Sequence, residues 1–433
     1  MRRFLLVLGV VLGVFRPLRF ITATTTTIGA AGNDKTVFVF RHCLRSTPTG
    51  AYSGLRKYPN FDNYSSHTFP SWPVPVYQCL PRGLERVEEM GKQLKDEIVG
   101  SSPSRFLFKV DTAAKRCNDT AKALLRGLGA ESHGYVSSPE LFDPSAYGKC
   151  PRMNATIARE ALRRNVRSTT YPPGHKDRLE RLQNVLGNGV APSLESIEDA
   201  ITDDGHFNGG SSVASAFAEA FLMQWGGGLH TAWGNIANVE QISDFLETHI
   251  YYRGVTDRLL PVCAYTHTPM VREILKFLGG REAIAGDEER ERVREETYDD
   301  AHDTLVLVGH DEDLDALAVL FGMSWITEPF PANATTPGSA LRIRATEGGK
   351  IDVSVVYQSF AAQEDNTEMG RKVSTLKSTV GANTTVASSS PSPGTLLSAP
   401  VAFEWRSSSS SKTPLLKEVA DYVQTRLDSS CVW

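Results

Sequence analysis

Residues 36–48, TVFVFRHCLRSTP, constrain this chain most tightly: an apolar run stops abruptly at Arg41, His42 and Arg45. Val37, Phe38, Val39 and Phe40 are β-branched or aromatic with no helical period, which predicts a strand buried on both faces. Such a strand delivers its last residues to the carboxyl edge of a parallel sheet, the usual ligand crevice of open α/β folds. Two planar guanidinium forks beside an imidazole suit the oxygens of a phosphate. His42, held neutral at one nitrogen, is placed to attack phosphorus. Taken alone, an R-H-x-x-R run reads as a satisfied strand-end histidine between two solvated arginines.

A second stretch changes that reading. Residues 304–317, TLVLVGHDEDLDAL, repeat the design: a buried-strand run over 305–308, then Gly309, His310 and Asp311. A helical segment begins close to that polar pair. Two distant strands that each end in a histidine beside a charged residue point to one shared site.

These residues resemble a known family. RHCLRSTP is similar to the R-H-G-x-R-x-P signature of the histidine acid phosphatases, and GHDEDLDAL to their H-D motif. The resemblance is closest to the periplasmic-type acid phosphatase, phytase and glucose-1-phosphatase group. Residues 72–91, WPVPVYQCLPRGLERVEEMG, and 110–128, VDTAAKRCNDTAKALLRGL, follow in order, the latter setting Arg116 on a third phosphate-binding arginine. PELFDPSAYGKC, AEAFLMQ, AWGNI and PGSALRI continue the series, so the resemblance covers about residues 36–360. It implies an α/β fold, a mostly parallel sheet with flanking helices, and an inserted α-helical cap.

The implied chemistry is phosphate monoester hydrolysis. His42 would be the nucleophile and form a phosphohistidine, Asp311 would protonate the leaving alkoxide, and Arg41, Arg45, Arg116 and His310 would bind the transferred group. Glu219 falls where related enzymes place a cap-helix carboxylate near substrate; its other reading is a solvated acid on an alanine-rich helix. Neither cofactor nor metal is implied, since the arginines and His310 form the cationic clamp, and no cysteine–histidine cluster has zinc spacing. Both a protonated Asp311 and a cationic histidine favour activity below neutral pH.

Three departures from the family pattern matter. Cys43 stands where the family has glycine; the first expectation is a tolerated small side chain, with a disulfide to Cys117 or Cys79, or a redox-sensitive site, as alternatives. Thr49 and Gly50 replace the lysine of phytases. Glu312 and Asp313 replace Thr and Asn, which makes the site mouth more acidic and opposes polyanionic substrates. A competing class is a secreted phosphatase-like binding protein without turnover, suggested by Cys43; a mutase or an inositol polyphosphate phosphatase is the alternative within enzymes.

The chain of 433 residues, 41% hydrophobic and 22% charged, has the composition of a globular protein with a substantial core. Its net charge of −4 provides no basic field for nucleic acid. The partner expected is a small phosphate monoester. Arg2 and Arg3 precede an apolar run over 4–15, too short to span a bilayer but suited to a signal peptide, so residues 1–31 are expected to be removed and the protein secreted or extracytoplasmic; an uncleaved anchor is the other reading. Cleavage would leave no stable membrane association. Sequons at Asn63, Asn118, Asn154, Asn333 and Asn383 agree with export. Six cysteines allow fifteen complete pairings that spacing does not resolve; the resemblance implies a bridge between Cys150 and Cys431.

The expected organisation is a catalytic core over 32–121 and 299–372, a helical cap over 122–298, a Ser/Thr-rich flexible insertion over 373–412, and a carboxyl-terminal helix and anchored tail over 413–433. The loop over 49–72 is read as an active-site loop, and the charge run over 287–300 as a solvated helix and loop.

Overall fold

In the computed structural model, residues 34–48, 59–100, 105–203, 205–279, 302–346, 348–360, 395–406 and 413–431 are described. The expected signal segment, the loop residues 49–58, the charge run over 287–300 and the Asn383 sequon lie outside them.

The two motif strands are neighbours. Strand β1 (Lys35–Arg41) pairs in parallel with β6 (Thr304–Gly309), in a register that sets Val37 against Leu305 and Arg41 against Gly309. On the other side of β6 lies β2 (Phe106–Val110), also parallel. Three strands therefore end together, and the residues that follow them are His42, Asp111 and His310. The rest of the sheet comprises β3 (Val136–Ser137), β7 (Met323–Trp325), β8 (Ala340–Ala345), β9 (Ile351–Gln358) and β10 (Leu396–Phe403), in the order β3-β2-β6-β1-β8-β9-β10-β7. Only β8 and β10 run against the others, so the sheet is mixed but mostly parallel in strand direction.

Period-two alternation sends the β1 side chains to opposite faces. Phe38 and Phe40 join Phe106, Phe108, Val306 and Val308 beneath α1 (Pro81–Ile98) and α2 (Lys115–Leu128). These two helices pack closely because Gly91 and Gly127 meet; a Cβ on Gly127 would collide with the Glu88 carbonyl. Val37, Val39, Leu305 and Leu307 face α7 (Leu260–Phe277), α8 (Asp311–Phe321) and α9 (Leu416–Gln424).

Between β3 and β6 the chain forms α3 (Ala155–Ser168), α4 (His175–Leu186), α5 (Gly210–Gly226), α6 (Val239–Thr256) and α7, with a small hairpin of β4 (Ala200–Ile201) and β5 (Phe207–Asn208). Phe217 and Phe221 of α5 centre a separate core with Phe61, Leu182 of α4 and Ile242 and Phe245 of α6. Two boundaries differ from the sequence reading. Helix α7 falls within 122–298 yet packs on the sheet, because Met270, Val271 and Ile274 form an apolar stripe against β1 and β6. Within 373–412, LLSAPVAF forms β10: backbone pairing with β9 outweighs a composition that reads as flexible. No helix among the described residues is long and apolar enough to cross a membrane.

Candidate active site

Backbone groups hold His42 at its N–H, its carbonyl and one ring nitrogen. Its N–H donates to the Gly309 carbonyl at 2.9 Å, and its own carbonyl accepts from the Gly338 N–H at 3.0 Å. Nδ1 lies 2.9 Å from the Cys43 carbonyl, so Nδ1 carries the proton and Nε2 keeps its lone pair for the cavity. Burial, then the charges of Arg116, Arg45 and Arg41, push the ring well below the usual histidine pKa. A neutral imidazole among cations is the form that a nucleophile requires.

The following backbone is tied to the next motif. The Cys43 N–H donates to Thr120 Oγ1 at 2.9 Å, and that hydroxyl donates to the Arg116 carbonyl at 2.7 Å. Cys43 itself is bridged to Cys79, which overturns the expectation of a tolerated free side chain. Both cysteines adjoin helices α1 and α2 in the buried core, and the Cys79 backbone bridges Arg45 in a short antiparallel contact. Cys117 stays a buried thiol, near the Gly309 carbonyl and His310. Cys150 and Cys431 form the second disulfide.

Arg41, Arg45 and Glu219 are all buried. Glu219 Oε1 lies 2.8 Å from Arg45 and 3.4 Å from Arg41, so its position on α5 makes it a counter-ion and not a solvated acid. Burial disfavours its charge, yet Arg45 foremost holds the carboxyl below its usual range. Asp311, the first residue of α8, has Oδ2 3.1 Å from Arg41 and 2.5 Å from Arg253. Against burial, Arg253 and then Arg41 keep it ionised well below the normal aspartate range. Arg253, on α6, also binds Asp315 at 2.5 Å.

His310 begins α8. Its N–H donates to Asp313 Oδ2 at 2.5 Å, and Gly309 before it leaves no room for a side chain beside the Phe142 ring. Nε2 lies 2.7 Å from Asp111 Oδ2, and Nδ1 3.0 Å from Arg116 Nη2. Against the effect of burial, Asp111 draws the ring pKa well above the usual value. An arginine can only donate, so the Arg116 contact needs a lone pair on Nδ1. Protonation of His310 at that nitrogen and the Arg116 contact therefore exclude one another. Arg116 must turn away when the cation forms. The rings of His42 and His310 lie 5.7 Å apart.

A cavity of about 240 Å³ is lined by His42, Arg45, Arg116, Glu219, His310 and Asp311; Arg41 is buried beneath it, paired with Glu219 and Asp311. All seven residues singled out in the sequence are thus gathered at one place. The sequence reading missed Arg253, His249, Tyr77 and Asp111. Tyr77 holds Arg45 and Arg116 over its ring at 5.5 and 5.8 Å. His249 Nδ1 is 2.9 Å from Ser215 Oγ, and burial pushes its pKa down to about 4. Asp111 alone carried a signal, as the acid directly after a buried strand. Two groups of metal-ligand type adjoin the cavity: Asp111, Cys117 and His310, and Glu219, His249 and Asp311. Arg116 contacts the first, and Arg41, Arg45 and Arg253 contact the second.

The fold thus brings the residues that follow β1 and β6 to one cavity, with Arg45, Arg116 and Glu219 around it. The chain is similar to phytase AppA of Escherichia coli (strain K12), 24% identical over 374 residues, covering 78% of this chain and 83% of that protein. Its fold matches the Hafnia alvei phytase solved with tartrate, with a TM-score of 0.71 at 19% identity over 94% of this chain and all of that one. The Citrobacter braakii phytase matches with a TM-score of 0.67 at 21% identity, over 92% and 98%. No family model matches the chain.

Proposed function

We propose that this protein hydrolyses phosphate monoesters through a phosphohistidine on His42. One observation carries the reading: Nδ1 of His42 is engaged by the Cys43 carbonyl, so Nε2 faces a cavity rimmed by Arg45, Arg116 and Asp311. The phosphoryl group would bind between Arg41, Arg45, Arg116 and His310, and Nε2 would form the bond to phosphorus as the ester oxygen leaves. Asp311 delivers a proton to that oxygen. Water then attacks phosphorus, the P–N bond breaks, and Asp311 takes the water proton. Phosphate displaces carboxylates from the guanidinium groups, which returns protonation to Asp311 when it is needed. The amino-terminal apolar run and two disulfides support export to an oxidising compartment.

The test is phosphate release by the purified full chain at about pH 5, below the unperturbed histidine pKa. Aryl phosphate, glucose 1-phosphate and phytate are compared with and without chelator; phytate is included because the relatives are phytases. Chelator-resistant turnover that is abolished in His42→Ala is the expected result. Turnover that survives in His42→Ala would overturn the assignment. A folded protein inert on all three esters favours the phosphatase-like binding protein.

A further inference from the structure

A second cavity, of about 580 Å³, adjoins the first across Arg116, Asp257, His310 and Glu312, which line both. The first, at about 240 Å³, is smaller than the roughly 300 Å³ from which organic ligand sites begin. It has room for a phosphoryl group and little more. The second falls within the range for organic ligands.

We propose that this second cavity receives the organic part of the substrate and selects neutral or cationic, partly apolar leaving groups over polyanions. The inference deepens the phosphatase reading and rests on it. The walls differ in kind from the phosphate site. Pro139, Phe142, Val262 and Ala316 provide an apolar lining, as an aryl or alkyl group requires. Around it stand five carboxylates, Asp111, Asp143, Asp257, Glu312 and Asp313, against one arginine, Arg116, and two histidines, His267 and His310. The histidines are matched internally, His267 with Asp313 at 3.0 Å and His310 with Asp111 at 2.7 Å. Even with both protonated, and with Arg253 3.9 Å from Asp257, the five carboxylates outnumber the cations. A second phosphate carried into this space meets net negative charge; an ammonium group meets attraction.

Two aryl monoesters matched in size and differing in charge test this: tyramine phosphate, with an ammonium arm, and the phosphate of 3-(4-hydroxyphenyl)propionate, with a carboxylate arm. In the wild-type protein at low salt, kcat/KM is expected to favour the ammonium ester by about tenfold, the preference shrinking toward unity near 1 M salt as charges are screened. Asp143 lines only the second cavity. Asp143→Lys is expected to cut the preference several-fold, read as the ratio of kcat/KM for the two esters. Calorimetric binding of both esters to His42→Ala gives the same ranking without chemistry. Equal or reversed ranking in binding, or an Asp143→Lys protein with the wild-type ratio, overturns the inference even where phenyl phosphate is hydrolysed. Ranked binding without hydrolysis of phenyl phosphate by the wild type supports the cavity assignment and sinks the phosphatase reading instead.

Discussion

Replacing Arg253 by Met tests Asp311 as the proton donor of the proposed mechanism. Asp311 Oδ2 then loses its nearer cation, at 2.5 Å, and keeps Arg41 at 3.1 Å. The other charged or titratable groups acting on it are His42 and Arg45 beyond β1, Glu219 on α5 and His249 on α6, all unchanged. Removing one close opposite charge raises a carboxyl pKa by about 1 to 3 units. A proton donor must hold its proton in the substrate complex, so kcat falls as pH rises through that pKa. The alkaline limb of kcat is therefore expected to move upward by the same amount, about 1 to 3 pH units. Asp315 keeps Arg258 at 2.6 Å, yet truncating a buried ion-pair partner still costs about 3–5 kcal/mol. Denaturant titration checks that loss, and Arg253→Lys, which retains a charge, serves as the second variant. The assay is saturating phenyl phosphate turnover against pH at constant ionic strength. An alkaline limb that stays in place or moves to lower pH in folded Arg253→Met would refute Asp311 as the proton donor.

Three more outcomes are expected. His249 has a folded pKa near 4 against about 6.5 unfolded, so the unfolded chain binds more protons in that window and stability falls as pH drops through it, by about 3 kcal/mol in full; His249→Gln removes that slope in denaturant titrations between those pH values. The Cys43–Cys79 bridge spans 36 residues, which gives about 4 kcal/mol of loop-closure stabilisation, and the double serine variant should lose most of it together with kcat/KM, since Cys79 braces Arg45. Glu219→Gln takes one carboxylate away from Arg41 and Arg45, so inorganic phosphate should inhibit at several-fold lower concentration; unchanged inhibition would remove Glu219 from the proposed anion site.

The strands that carry the site were legible because their signal is local. Val37 to Phe40 and Leu305 to Val308 have no helical period and enough β-branching and bulk to be buried on both faces, and each ends at a charged pair. The features that escaped are those set by tertiary distance. Arg253 and His249 lie in a helix whose charged residues fall on every side, and only the packing of α6 toward α8 distinguishes them from solvated neighbours. Tyr77 follows a loop of prolines and has no pattern of its own. Cysteine spacing does not determine pairing, so the Cys43–Cys79 bridge needed the approach of residue 79 to the turn after β1. Strand β10 was hidden by Ser, Pro and Ala, residues of low strand propensity that pairing with β9 overrides.

The pairing of charges gives a physical reason for carboxylates inside the proposed anion site. Arg41 is buried, and an unmatched guanidinium there would cost several kcal/mol. Glu219 and Asp311 neutralise it, at 3.4 and 3.1 Å. An entering phosphate has to outcompete them. A dianion with its oxygens on Arg41, Arg45 and Arg116 does so through several charge-assisted bonds at once, whereas a monocarboxylate cannot. The displaced Asp311 then loses part of the field that kept it ionised. Binding of substrate and protonation of Asp311 are thereby coupled. Proton uptake on phosphate binding, read by calorimetry in two buffers of different ionisation enthalpy, follows from that exchange; binding without uptake near pH 6, where phosphate monoesters themselves titrate at about 6, would show that the proton enters with the substrate monoanion.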